Sequence, residues 1–157
     1  MKITDSKTGQ EINCLIEKLA QIDIPKKKDG WSFNWRKALK ESPNTTLVLK
    51  DKDAGKVQGA MQLRFDAGML IMEIIELAPN NIGKTGKYSN VAGCLIAYAC
   101  REAIKLDSAY RGYLTFQSKT KLVNWYKENY YASQAIGLRM YIDPKGGEKL
   151  IKKYLEL

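Results

Sequence analysis

The chain of 157 residues contains no histidine. That absence removes Ser-His-Asp and Cys-His catalysis, zinc sites built on imidazole, and haem held by histidine. Any general base must then be a carboxylate, a tyrosine, a cysteine, a lysine or a water. Cysteine is scarce: Cys14, Cys94 and Cys100 are the only three. An odd, low count argues against a disulfide framework. Cys94 and Cys100 stand six apart on an expected helix and share no face, so all three read as buried small residues, and no metal site is expected. No apolar run approaches the roughly 20 residues that span a bilayer. The stretch Met1-Lys2-Ile3-Thr4-Asp5-Ser6 lacks the apolar core of a signal peptide. The expectation is a cytoplasmic protein with no membrane partner.

What is present is ordinary for a globular chain: 45% hydrophobic and 27% charged residues. The length fits one domain over 1–157, large enough to hide about 70% of the unfolded surface. The net charge is +9. Such a surface attracts nucleic acid, acidic membranes or a polyphosphorylated cofactor, or it serves solubility alone. The densest cluster, Lys26-Lys27-Lys28, lies between Pro25 and Asp29-Gly30 and reads as a solvated loop.

Ile12, Leu15, Ile16 and Leu19 have the spacing of an amphipathic helix over 10–22. Trp31, Phe33 and Trp35 alternate like a strand, whereas 35–41 looks helical. These aromatics either pack on the core or line an acceptor pocket. The segment 45–50 is β-rich, 51–56 is a turn, and 57–65 alternates as a half-buried strand with Gln58, Gln62 and Arg64 outward. Asp66-Ala67-Gly68 turns the chain into a nearly continuous apolar run over 69–78, the pattern of a central strand covered on both faces. A three-stranded meander over 45–78 results. A loop rich in Gly, Asn and Lys follows, then a helix over 91–105, a strand over 112–117, and a helix over 120–130 with Leu122, Trp125 and Tyr126 inward. A strand over 136–142 and a last amphipathic helix close the chain. The class is α+β, or a three-layer α/β arrangement, with a mixed sheet covered by helices.

The unit of strand, basic Gly/Asn loop and helix carries the most chemistry. A helix start offers unpaired N–H groups and a positive dipole end, and small residues there admit a phosphate. Lys84 and Lys87 add charge. The loop matches neither a Walker loop nor G-x-G-x-x-G.

Lys87-Tyr88-Ser89-Asn90-Val91-Ala92, followed by Gly93, resembles the pyrophosphate loop Gln/Arg-x-x-Gly-x-Gly/Ala of the GNAT superfamily of acyl-CoA-dependent N-acetyltransferases. Lys87 stands where Gln or Arg is usual and Asn90 where Gly is usual; Asn tolerates the left-handed conformation. The order of elements over 45–157 supports the resemblance, and the Glu-Leu-Ala-Pro-x-Asn stretch over 76–81 looks like an uncharacterised bacterial branch. The resemblance implies a mostly antiparallel central sheet flanked by helices. It also implies acetyl-CoA as acyl donor and an unidentified amine as acceptor. Backbone groups near Leu77 and Ala78 would hold the acetyl carbonyl and pantetheine, and those of 88–93 the pyrophosphate. Tyr126 would protonate the departing thiolate. Lys119 stands where an Asn is usual in that cofactor site.

With no histidine, Glu73 and Glu76 are the candidate bases, since both interrupt an apolar strand. Burial would raise their pKa toward a useful range. One of them could instead pair with Arg64. Acceptor candidates are a polyamine or aminosugar, a protein amine, or an aminoacyl-tRNA. RNA is therefore a candidate partner. The rival reading is a non-catalytic module on the same fold that binds acyl-CoA or nucleic acid.

Overall fold

The computed structural model describes residues 1–156. Nine strands are hydrogen-bonded in the order β6-β1-β2-β3-β4-β5-β7-β9-β8. They are β1 (Lys2–Asp5), β2 (Glu11–Lys18), β3 (Thr46–Asp51), β4 (Val57–Asp66), β5 (Met69–Leu77), β6 (Tyr88–Ser89), β7 (Leu114–Gln117), β8 (Ser133–Gln134) and β9 (Arg139–Ile142). The helices are α1 (Trp35–Glu41), α2 (Val91–Ile104), α3 (Val123–Tyr130) and α4 (Pro144–Tyr154). The sheet is mixed and mostly antiparallel, flanked by helices, as expected. Two compact units divide the chain: Met1–Gln62 with Ile74–Leu95, and Leu63–Glu73 with Ile96–Leu157. Strands β4 and β5 and helix α2 have residues in both.

In the first unit the expected helix over 10–22 is strand β2. Its Cys14 to Lys18 pair antiparallel with Asp51 to Leu47 of β3, and its Glu11 to Asn13 pair with β1. Ile12, Cys14 and Ile16 also fit a two-residue period, and pairing on both edges outweighs the helical spacing. The meander over 45–78 is present, but β4 is covered on both faces from Gln58 to Leu63. Its polar residues are satisfied inside: Gln62 Nε2 donates to the Ala38 carbonyl at 3.0 Å, and Gln58 Nε2 to Asp51 at 3.1 Å. Helix α1 begins at an N-cap, where Asn34 Oδ1 accepts from Lys37 N–H. Trp35, Ala38 and Leu39 join Trp31, Leu19, Ile24, Val48, Ala60 and Ala78 in one core cluster.

Gly59 sets the depth of α2. A Cβ there would come within 2.9 Å of Val91 Cγ1 and 3.0 Å of Leu95 Cδ1, so a larger residue would force these side chains at the helix start to shift.

In the second unit β7 runs parallel to β5, with Leu70, Ile71 and Met72 opposite Leu114, Thr115 and Phe116. β9 returns antiparallel to β7. The expected strand over 136–142 is shorter, because Ile136 lies in the connection from β8 and is 86% exposed. Asp143 caps α4 by accepting from Gly146 N–H at 2.7 Å. Tyr126 and Tyr130 are buried in α3, whereas Trp125, expected inward, is partly exposed. All three cysteines are buried and free. No helix among the described residues is long and apolar enough to cross a membrane.

Candidate functional site

The stretch 76–93 carries most of the candidate cofactor and base residues, and two buried side chains organise it. The first is Glu76 on β5. One carboxylate oxygen accepts from Ser32 N–H at 2.6 Å, the other from Phe33 N–H at 3.2 Å and from Trp35 Nε1–H at 2.8 Å. Three N–H donors compensate a charge that would be costly to bury alone. Glu76 therefore fixes the segment 31–35 onto β5.

The second is Asn81, 4% exposed. Its Nδ2 donates to the Gln58 carbonyl at 3.0 Å and to Gln58 Oε1 at 2.9 Å, and its Oδ1 accepts from Tyr88 N–H at 3.1 Å. The Lys87 N–H donates to the Asn80 carbonyl at 2.7 Å. A Cβ on Gly86 would lie 2.6 Å from the Asn81 carbonyl oxygen, so only glycine closes this loop. Asp5, Lys7, Lys84 and Lys87 line a cavity of about 460 Å³ beside it. Ser6 N–H donates to the Lys87 carbonyl, and Ser89 and Tyr88 pair with Thr4 and Asp5 of β1. The loop is thus pinned on both sides before α2 begins.

Asn90 has φ 72°, the left-handed conformation expected of the residue in the glycine position. Its carbonyl accepts from Cys94 N–H at 3.0 Å, which starts α2. Val91, Ala92 and Gly93 follow, and their N–H groups are those a helix leaves without an internal partner. Ser89 and Asn90 are exposed and Ala92 is half-buried, whereas Val91 and Gly93 are buried. One correction applies: the N–H groups of Lys87 and Tyr88 are already bonded within the loop, so they are not free for a pyrophosphate. Ala78 N–H is likewise committed to the Gln58 carbonyl at 2.9 Å, which leaves the groups of Leu77 as the candidates at that strand end.

Glu73 lies on β5 in the second unit and is exposed. Its Oε2 accepts from Arg64 Nε–H at 3.1 Å, so Glu73 is the carboxylate that pairs with Arg64. Burial, the condition expected to make either glutamate a base, holds for Glu76 and not for Glu73. Tyr126 is 7% exposed, and its ring lies 4.7 Å from that of Phe116 and 4.9 Å from that of Trp125. Burial pushes its phenol pKa up. Lys119 is exposed before the turn Thr120–Leu122.

Of the three aromatics offered for the acceptor, Trp31 and Trp35 are core residues at 8% and 1% exposure. Phe33, 39% exposed, is the most accessible of the three. It lines a cavity of about 190 Å³ with Lys26, Lys27 and Arg36. No group of three or more acidic or thiol side chains suited to a metal occurs among the described residues.

Sequence reasoning missed Asn81, Gln58, Gly59 and Gly86. An Asn or a Gly in a loop reads as a turn residue, Gly59 reads as one position of an alternating strand, and Gln58 falls on the polar face of that strand.

No family model matches the sequence, and no curated protein matches it. Solved structures do. An acetyltransferase of the GNAT family from Bacillus cereus aligns at TM-score 0.52 and 12% identity, covering 83% of this chain and 94% of that one. Diaminobutyrate acetyltransferase from Paenibacillus lautus, solved with its substrate L-2,4-diaminobutyric acid and coenzyme A, aligns at 0.52 and 9% identity, covering 85% and 96%. The chain spans 63% of the length of a nourseothricin acetyltransferase and is itself 62% covered, at 20% identity and TM-score 0.43. The chain has the fold of the GNAT acetyltransferases.

Proposed function

We propose that this chain is an N-acetyltransferase that moves an acetyl group from acetyl-CoA to an amine by direct attack in a ternary complex. The observation that carries the reading is the start of α2. On this fold, a left-handed Asn90 starts α2 beside the exposed Ser89 and the half-buried Ala92, preceded by a loop that carries Lys84 and Lys87. N–H groups at a helix start favour a diphosphate, and the lysines add charge.

Three chemical needs remain. The attacking amine must lose a proton, the carbonyl oxygen must be held as it gains charge, and the thiolate must be protonated. The first falls to one of the two glutamates: Glu73 keeps one oxygen without a protein donor among the described residues, and Glu76 is the buried one, beside Leu77. Glu76 positions the segment 31–35. Backbone groups of Leu77 are assigned to the carbonyl. Tyr126 is assigned as the proton source, because its buried phenol stays protonated at neutral pH.

One observation favours a second reading, a module that binds acyl-CoA without turnover: both glutamates already have protein partners. Native mass spectrometry of the purified protein tests the shared premise. A co-purifying mass of CoA or acetyl-CoA is expected, and its absence together with no CoA affinity in calorimetry would sink both readings. Binding without acetyl transfer to any amine would select the second.

A further inference from the structure

The cavity of about 190 Å³ in the first unit is lined by Lys26, Lys27 and Arg36, with Phe33, Asn34 and Trp35. No acidic side chain lines it. None of its three cations makes an ion pair or a side-chain hydrogen bond among the described residues. That sets them apart from Lys50, which lies 2.9 Å from Asp23 and 3.3 Å from Glu17, and from Lys37, paired with Glu41. The aromatic wall is fixed, because Glu76 holds the Ser32 and Phe33 N–H groups and the Trp35 indole. Glu76 immediately precedes Leu77, the residue assigned to the acetyl carbonyl.

We propose that this cavity is the acceptor subsite and that the acceptor is a small amine bearing an anionic group, a phosphate or a carboxylate. The inference rests on the acetyltransferase reading for the word acceptor, but the anion preference stands on the cavity itself. Three unpaired cations repel a polyamine or an aminosugar, which carry only positive charge, and attract an amine tethered to an anion. Arg36 offers a planar fork of donors suited to either oxyanion. The volume suits a group of several heavy atoms, and Phe33 covers the apolar link between the anion and the amine.

Matched amines on the intact protein test this. Binding is read by NMR titration and transfer by release of free CoA thiol, using phosphoethanolamine against ethanolamine, β-alanine against propylamine, and spermidine alone. At least one anionic amine should bind and react about tenfold better than its counterpart without the anionic group. The two pairs tell phosphate from carboxylate. Arg36→Gln, at an exposed position, should reduce that preference to under about threefold. The double variant Lys26→Gln, Lys27→Gln should reduce it too. Equal or better binding of the amine without the anion in both pairs, or of spermidine over both anionic amines, overturns the proposal. So does the absence of binding by both anionic amines, or a preference unchanged in both variants. Acetyl-CoA affinity, measured by calorimetry on the same preparation, reads the acetyltransferase assignment separately. An anion-selective cavity in a protein that does not bind acetyl-CoA would remove the assignment and leave the cavity.

Discussion

The Trp35 indole donates to the Glu76 carboxylate at 2.8 Å, joining the first residue of α1 to the strand that leads into the candidate site. The same carboxylate takes two backbone N–H groups. Replacing it with Gln puts an NH₂ group against at least one donor. Glu76→Gln should therefore lose stability, by about 2 kcal/mol and on the order of 5 °C in Tm. Glu73→Gln should leave Tm unchanged, because its ion pair with Arg64 is exposed. With Glu73 as the base, it should cut turnover by about 100-fold or more while acetyl-CoA affinity stays intact. Full activity in Glu73→Gln would leave the base role to Glu76 or a water. A stable Glu76→Gln protein without turnover would give that role to Glu76.

Gly86→Ala should disturb the loop without unfolding the protein. The added methyl meets backbone, the Asn81 carbonyl at 2.6 Å, which cannot rotate away. Asn81→Ala removes the side chain that ties Tyr88 N–H to Gln58. Both variants should weaken CoA binding in calorimetry by about tenfold or more, as expected when a buried hydrogen bond or loop closure is lost. Unchanged affinity in both would mean that the loop over 79–88 does not set the start of α2.

Local patterns made the frame legible. The meander, the long apolar strand, α2 and the left-handed Asn90 all follow from neighbours in sequence. What failed depended on distant partners. The β2 segment satisfied both periods, and only pairing with β1 and β3 decided between them. Strands β1 and β6 are too short to show a period and pair across some 85 residues of chain. The same holds at the site. Glu76 stood out as a charge in an apolar strand, but its three donors lie more than 40 positions away. Asn81 ends the Glu-Leu-Ala-Pro-x-Asn stretch, yet its buried bonds appear only in the folded chain.

Burial pushes the Cys100 thiol up to about 12, from an ordinary 9.0. Between these values the unfolded chain has released its proton and the folded chain has not. Stability linked to this group is thus complete below pH 9 and falls as pH rises toward 12, by about 1.4 kcal/mol per unit. Urea titrations at pH 8 and pH 10 of wild type and Cys100→Ala isolate it. The gap between the two should shift toward the variant by about 1 kcal/mol at the higher pH. Parallel behaviour at both values would show that the thiol titrates normally.

Tyr126→Phe keeps the ring against Phe116 and Trp125 and removes only the hydroxyl. Turnover should fall and Tm should hold. A large loss of stability with normal residual turnover would make Tyr126 a packing residue with a structural hydroxyl.

The start of α2 gives the strongest test, because its outcome does not depend on knowing the acceptor. A diphosphate needs several N–H donors converging on one place, and room to approach them. Ala92 is half-buried in the first turn of α2, between Val91 and Gly93, just after the left-handed Asn90. An aspartate there adds bulk and a negative charge where the ligand carries its own. Carboxylates are tolerated at helix starts, so the fold should survive the change. Ala92→Asp is expected to abolish CoA binding in calorimetry while circular dichroism still reports the folded protein. Lys87 is exposed beside the cavity, with its ammonium 5.2 Å from the centre of the Tyr88 ring. Its contribution is screened by salt, so Lys87→Ala should weaken CoA binding more at low ionic strength than at high. Retained micromolar CoA affinity in Ala92→Asp would remove the cofactor from this helix start. The acetyltransferase reading would then rest on the fold alone.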